Sequence, residues 1–195
     1  MSKITSSQYW DNKYVSGQTG WDIGYASPPL IEYFNQIKDK NIRILIPGAG
    51  NAWEVEYLYN KGFKNVFLLD FAESNINNFK KRCPDFPDEQ ILHMDFFDHK
   101  EKYNLIVEQT FFSSFHPRDR QKFVDHLQFI LLPQGKYMGL LFNHGFDFQG
   151  PPFGGTTRTY FNLFKKRFNI IHFDTANNSI KPRKERELFI LLTIK

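Results

Sequence analysis

The sequence predicts an α/β fold: a mostly parallel sheet with helices on both faces and an antiparallel partner near the end. Three observations predict it. Short apolar runs alternate with helical patterns through most of the chain, as parallel strands joined by helical crossovers do. The connections between them are short. Two apolar runs then follow one another at the end with no helix between, which predicts a hairpin with one antiparallel edge strand.

The elements follow in order. Ile42 to Pro47 is an apolar run closed by Pro-Gly, a buried strand. Ala52 to Lys61 places Val55, Leu58 and Tyr59 at helical spacing, with Gly62 as its stop. Asn65 to Leu69 is a second strand ending at Asp70, and Ala72 to Arg82 is a helix halted by Pro84. Gln90 to His93 is a short strand before Asp95, and Tyr103 to Val107 is the next. Pro117 to Leu131 is a helix with Pro in its first turn and Phe123, Leu127, Ile130 and Leu131 on one face. Gly135 to Phe142 is a strand and Thr156 to Arg167 a helix. Asn169 to Phe173 and Glu187 to Ile194 are the closing strands.

The 195 residues contain no repeat or flexible linker and are expected to form a single domain. No apolar run approaches the about 20 residues of a membrane helix. The first residues carry no apolar signal region, so a cytoplasmic protein is expected. The lone cysteine, Cys83, excludes an internal disulfide and a cysteine-based metal cluster. The six histidines are scattered, against a zinc site, and no metal is expected. The net charge of +4 is uneven: residues 1–100 carry −2 and residues 101–195 carry +6. A basic half can attract nucleic acid or a small anion, or simply be a solvated face.

Ligands in such sheets bind beyond the carboxyl ends of the strands. After the first strand comes Pro47-Gly48-Ala49-Gly50-Asn51. Gly48 and Gly50 allow close backbone approach to a ligand, or only a tight turn. A dinucleotide fingerprint would place a third glycine at position 53; Trp53 stands there and speaks against bound pyrophosphate. Asp70, 20 residues after Gly50, can accept from both hydroxyls of a ribose, or cap the next helix. Asp95 with Phe96 suits an adenine, through its exocyclic amine and its ring face, or is a turn. Together the three strand ends read as an adenosine site without a phosphate. Ahead of them, Trp10 and Tyr14 share a helix face and Trp21 follows. They pack on the core or form an aromatic lid over a cation. A sulfonium is such a cation, and adenosine plus sulfonium is S-adenosylmethionine.

An ordered set of motifs carries a resemblance. It runs Tyr9-Trp10-Asp11-Asn12-Lys13-Tyr14, Gly20-Trp21-Asp22-Ile23-Gly24, Pro28, Ile46-Pro47-Gly48-Ala49-Gly50 and Leu69-Asp70. Met94-Asp95-Phe96-Phe97, Thr110-Phe111-Phe112, Leu132-Pro133-Gln134-Gly135 and Gly150-Pro151-Pro152-Phe153 continue it. The set resembles the thiopurine S-methyltransferase superfamily over nearly the whole chain, above all its halide/thiol (thiocyanate) methyltransferase branch. The resemblance implies a class I methyltransferase: a doubly wound, Rossmann-like seven-stranded sheet, mostly parallel, with its last strand antiparallel. It implies S-adenosyl-L-methionine as cofactor and residues 1–26 as a cofactor lid. Cofactor contacts carry over to Trp10, Tyr14, Trp21, Gly48, Asp70, Asp95, Phe96 and Gln109, with Gly50 beside them. Tyr14 stands where the family often has Trp, Ala49 where it often has Cys, and Gln109 where it often has Tyr. On the acceptor side, Arg120 matches an arginine lying near substrate in the thiopurine branch.

The expected reaction is methyl transfer by in-line displacement to a small soft nucleophile: a thiol, thiocyanate, halide or thiopurine-like acceptor. Such an anion needs no general base, and no catalytic side chain is assigned. His116 and His144 are available as bases, or are merely solvated. Phe111, Phe112 and Phe153 would wall an apolar acceptor pocket or belong to the core. Alternatives are a nucleic-acid methyltransferase and a non-catalytic nucleotide-binding protein of the same fold. Against the first, the place after the fourth strand reads Glu108-Gln109-Thr110-Phe111-Phe112 rather than an Asn/Asp-Pro-Pro-aromatic motif. A monomer is expected, with a small-molecule partner and neither membrane nor nucleic acid.

Overall fold

A computed structural model describes residues 6–195; residues 1–5 of the predicted lid lie outside the described residues. Seven strands form one sheet in the order β3-β2-β1-β4-β5-β7-β6. They are β1 (Arg43–Pro47), β2 (Asn65–Asp70), β3 (Ile91–His93), β4 (Tyr103–Gln109), β5 (Leu131–Phe142), β6 (Phe168–Thr175) and β7 (Glu187–Ile194). The helices are α1 (Ser7–Val15), α2 (Pro28–Phe34), α3 (Trp53–Asn60), α4 (Glu73–Arg82), α5 (Arg120–Ile130) and α6 (Thr157–Phe164). Two compact units divide the chain, one up to His99 and one from Lys100 to Lys195.

In the first unit, β1 and β2 pair in parallel from Arg43↔Asn65 to Pro47↔Leu69, and Asp70 faces His93 of β3. This register ends the strands level, so the Gly48–Gly50 turn, Asp70 and the Met94–Asp95 turn share one edge. Buried Ile44, Leu45, Ile46, Val66, Leu68 and Leu69 form continuous apolar strands, as a sheet covered on both faces requires.

In the second unit, β4 and β5 pair in parallel, and β7 runs antiparallel to both β5 and β6. The antiparallel strand is therefore the last in sequence, as predicted, but not the edge strand. It is inserted between β5 and β6, which gives its Leu188, Ile190, Leu191 and Leu192 neighbours on both sides. Phe112, Phe123, Tyr137, Tyr160 and Phe164 fill this unit with ring contacts whose centroids are 5.3–6.0 Å apart.

Several boundaries differ from the sequence reading: β4 runs past Val107 to Gln109, α5 begins at Arg120 and α6 ends at Phe164. Helix α2 was not predicted; it has only seven residues and begins Pro-Pro, which leaves little periodicity to read. Helix α5 ends at Ile130, one residue early, because Leu131 already pairs in β5. Strand β5 starts there rather than at Gly135. It passes Pro133 and Gln134, whose φ is 62°, at a bulge opposite Tyr103 and Leu105.

Candidate functional site

The β1 turn supplies the first group of residues. Gly48 and Gly50 have φ of 57° and 56°, left-handed values that cost a side chain conformational strain. A Cβ on Gly50 would stand 2.5 Å from the Tyr14 hydroxyl, so this position is closed to side chains on two grounds. The Gly50 N–H donates to Asp70 Oδ2 at 2.8 Å. The Ala72 N–H donates to Oδ1 at 2.9 Å, so Asp70 also serves the start of α4. Both readings of Asp70, ligand and cap, thus have a place in one geometry. The carboxylate is buried, which raises its pKa, while the bonds from Ala72 and Gly50 work the other way. At the end of β3, Asp95 Oδ1 accepts from the Phe97 N–H at 2.8 Å and caps a short 3-10 helix. Phe96 is buried beside it, edge-on to Phe97 at 5.3 Å between centroids.

Helix α1 brings the aromatic residues to this turn. Trp10 and Trp21 meet edge to face at 5.3 Å, and Tyr14 and Trp21 at 5.8 Å. Trp21 Nε1 donates to the Tyr14 hydroxyl at 3.0 Å. Burial, then the Asp70 carboxylate, pushes the Tyr14 hydroxyl well above its ordinary pKa, so it remains a neutral donor. The three rings predicted as a lid therefore form one cluster, with Tyr14 beside Gly50. Asp22 accepts from Trp53 Nε1 at 2.8 Å, from Asn51 Nδ2, and from the Gly24 N–H at 2.8 Å. Trp53, at the position where the fingerprint would have its third glycine, thus has a partner in Asp22.

The second unit holds the residues expected on the acceptor side. Arg120, expected near an anionic substrate, is only 3% exposed. Its Nη1 donates to the Gly154 carbonyl at 3.1 Å and its Nη2 to the Phe153 carbonyl at 2.7 Å. The guanidinium also lies 4.6 Å from the Phe112 ring centroid. Burial lowers its pKa, yet it holds the 150–155 loop rather than facing solvent. Phe112, expected as a pocket wall, is 1% exposed and packs among Phe123, Tyr160 and Phe164. Phe153 is half-buried and meets the exposed His116 ring at 5.2 Å. Gln109 ends β4, and its Nε2 is buried with no hydrogen-bond partner among the described residues. His116 Nδ1 accepts from the Arg118 N–H at 3.3 Å, which leaves a neutral ring its proton on Nε2.

Sequence reasoning missed Glu108. It is buried near the carboxyl end of β4, where Oε1 accepts from the Tyr137 hydroxyl at 2.9 Å and Oε2 from the Phe112 N–H at 3.1 Å. Burial pushes its pKa up to about 7. Gly139 makes room for the pair: a Cβ there would stand 2.8 Å from Glu108 Oε1 and 2.9 Å from the Tyr137 hydroxyl. A carboxyl in an apolar strand was the available signal. Among the described residues no group of His, Cys, Asp and Glu could hold a metal ion, and no helix is long and apolar enough to cross a membrane.

Comparisons with known proteins place the chain in a family and a fold. The thiopurine S-methyltransferase family matches residues 5–190. A probable thiol methyltransferase 2 of Arabidopsis thaliana is 27% identical over 188 residues, covering 93% of this chain and 83% of that protein. Thiocyanate methyltransferase 1 of Brassica oleracea is 24% identical, covering 91% of this chain and 81% of that one. Among solved structures, the 1,6-didemethyltoxoflavin-N1-methyltransferase of Burkholderia thailandensis, with bound S-adenosylhomocysteine, superposes with a TM-score of 0.78. It shares 13% identity over 97% of this chain and 87% of that one.

Proposed function

Because the chain belongs to the thiopurine S-methyltransferase family, we propose that it methylates a thiol or a thiocyanate-like anion. It is an S-adenosylmethionine-dependent methyltransferase directed at small soft nucleophiles. The observation that carries the cofactor reading is Asp70: a buried carboxylate fixed by the Gly50 and Ala72 N–H groups at the end of β2. Asn75 Nδ2 also donates to Oδ2 at 3.4 Å, and the open acceptor position on Oδ1 suits a ribose hydroxyl. The residues fit the cofactor in other respects. Gly48 and Gly50 keep side chains from the β1 turn, Asp95 keeps its second oxygen for an exocyclic amine, and Trp53 in place of a third glycine leaves no cradle for a pyrophosphate. Gln109 offers an unpaired buried amide donor.

When bound, the cofactor supplies a sulfonium methyl group whose carbon–sulfur bond breaks as the bond to an in-line nucleophile forms. Trp10, Tyr14 and Trp21 are proposed to cover the charged end of the site with ring faces and exclude water. Phe153 is proposed to wall the acceptor side. Arg120 acts there by holding the carbonyls of Phe153 and Gly154 and fixing that ring, not as an anion ligand. Thiocyanate and iodide carry no proton, and a thiol reacts as the thiolate that has already released its proton to water, so no side chain is required to take one. Phe112 takes part only through the core on which this wall rests.

The proposal treats residues 1–195 as one functional domain with residues 1–26 as its lid, supported by the family match across 5–190. It also places the protein in the cytoplasm as a monomer; a single cysteine and thiol-directed chemistry suit a reducing compartment. A screen with methyl-labelled S-adenosylmethionine against thiocyanate, hydrosulfide, an aromatic thiol, iodide and a thiopurine tests the function. Label is expected in a methylated sulfur product. Label entering RNA or DNA, with none in any small acceptor, would refute it.

A further inference from the structure

Helix α1 buries none of its residues, and a nine-residue helix is marginal on its own. The rings of Trp10, Tyr14 and Trp21 are part-buried and pack on one another, with the Tyr14 hydroxyl beside Gly50. Two aspartates add the polar contacts. Asp11, between Trp10 and Tyr14, accepts at Oδ1 from both the Ser74 N–H, at 2.9 Å, and the Ser74 hydroxyl, at 2.6 Å. Ser74 lies in the first turn of α4, whose free N–H groups favour a negative partner. Asp22, next to Trp21, takes Trp53 Nε1 on Oδ1 at 2.8 Å and Asn51 Nδ2 on Oδ2. Trp53 opens α3, and the Arg82 guanidinium lies 4.1 Å from its ring centroid and donates to the Asn51 carbonyl. Both receptors of Asp22 are thus fixed from behind by α4. The two helices pinned in this way follow the Gly48–Gly50 turn and Asp70.

We propose that Asp11 and Asp22 are positioning residues: a two-point latch that seats the Trp10–Tyr14–Trp21 cluster at the β1 turn. Trp53 is the receptor of the second point. Its indole N–H explains why a tryptophan occupies the position that a dinucleotide site reserves for glycine. The latch rests on the reading of residues 1–26 as a cofactor lid, but its mechanical part is independent of any ligand. The two points differ in kind. Asp11 holds the helix that bears Trp10 and Tyr14, whereas Asp22 holds the turn that bears Trp21.

The chain's three tryptophans are Trp10, Trp21 and Trp53, so tryptophan emission, excited beyond the tyrosine absorption band, reports on the lid and its receptor. Asp11→Ala and Asp22→Asn should each shift the emission of the ligand-free protein to the red. Amide exchange across residues 7–24 should speed up by about tenfold or more, the effect of losing one charge-assisted bond. Trp53→Phe keeps a ring against Arg82 and removes only the donor; combined with Asp22→Asn it should add little to either single change. With S-adenosylmethionine and a thiol, the cofactor KM should rise about tenfold in Asp22→Asn while the acceptor KM holds. Unchanged emission and exchange in both aspartate variants would overturn the latch. A loosened segment with unchanged S-adenosylhomocysteine affinity would uphold the latch and overturn the lid function instead.

Discussion

The unit up to His99 and the unit from Lys100 spend their charged groups differently. In the first, Asp11, Asp22 and Asp70 accept from backbone N–H groups or an indole at the beginnings of helices and at a glycine turn. These are polar ends of elements, where a small ligand meets backbone. In the second, Arg120 and Glu108 are buried among aromatic rings and serve carbonyls, an N–H and a tyrosine inside the unit. The difference teaches that the first unit keeps its carboxylates at the ends of elements, whereas the second buries its charged groups inside its own aromatic packing.

The largest way to break the comparison is at Arg120. Arg120→Ala strands the Phe153 and Gly154 carbonyls and should cost about 3–5 kcal/mol of stability, read by denaturant unfolding. A loss below about 1 kcal/mol, within the range of surface changes, would mean that the guanidinium is not structural.

Glu108 sharpens it next. Its ordinary carboxyl titrates at 4.5, and in the folded chain burial raises it to about 7. Between those values the folded state holds the extra proton. Stability is therefore greatest below 4.5 and falls as pH rises to 7, by about 3 kcal/mol from this group. Glu108→Gln should flatten that slope in unfolding curves taken from pH 4.5 to 8. A slope retained in the variant would assign the titration elsewhere.

In the first unit, Asp70→Ala should weaken S-adenosylhomocysteine binding by about 1.5–3 kcal/mol while the fold persists. Full affinity in a folded variant would leave Asp70 as a helix cap alone. The smallest effect belongs to Trp21. A ring over a cation predicts that Trp21→Ala harms S-adenosylmethionine more than the neutral S-adenosylhomocysteine, by about 0.5–2 kcal/mol. Equal losses would show packing without a charge effect.

The same division explains what could be read in the sequence. The places of Gly48, Gly50, Asp70 and Asp95 at strand ends were legible because strand ends and helix starts are local in sequence. The clustering of Trp10, Tyr14 and Trp21 was legible for the same reason, since they lie within one short segment. The contacts of Arg120 were not, because its partners lie 33 and 34 residues further along the chain. Glu108 and Tyr137 are 29 residues apart, and the need for Gly139 between them appears only when β4 and β5 pair. Phe112 was ambiguous because a strand-end aromatic reads alike as wall or core. Helix α2 was lost to its double proline, and β7 was put at the edge because order in sequence does not fix order in a sheet.

The central claim is that the first unit builds an adenosine site without a place for pyrophosphate. Calorimetric titration of the whole chain with S-adenosylmethionine, S-adenosylhomocysteine and NAD tests it most directly. The account predicts saturable heat for both sulfur ligands and none for NAD. Binding of NAD, with no heat from either sulfur ligand, would contradict it.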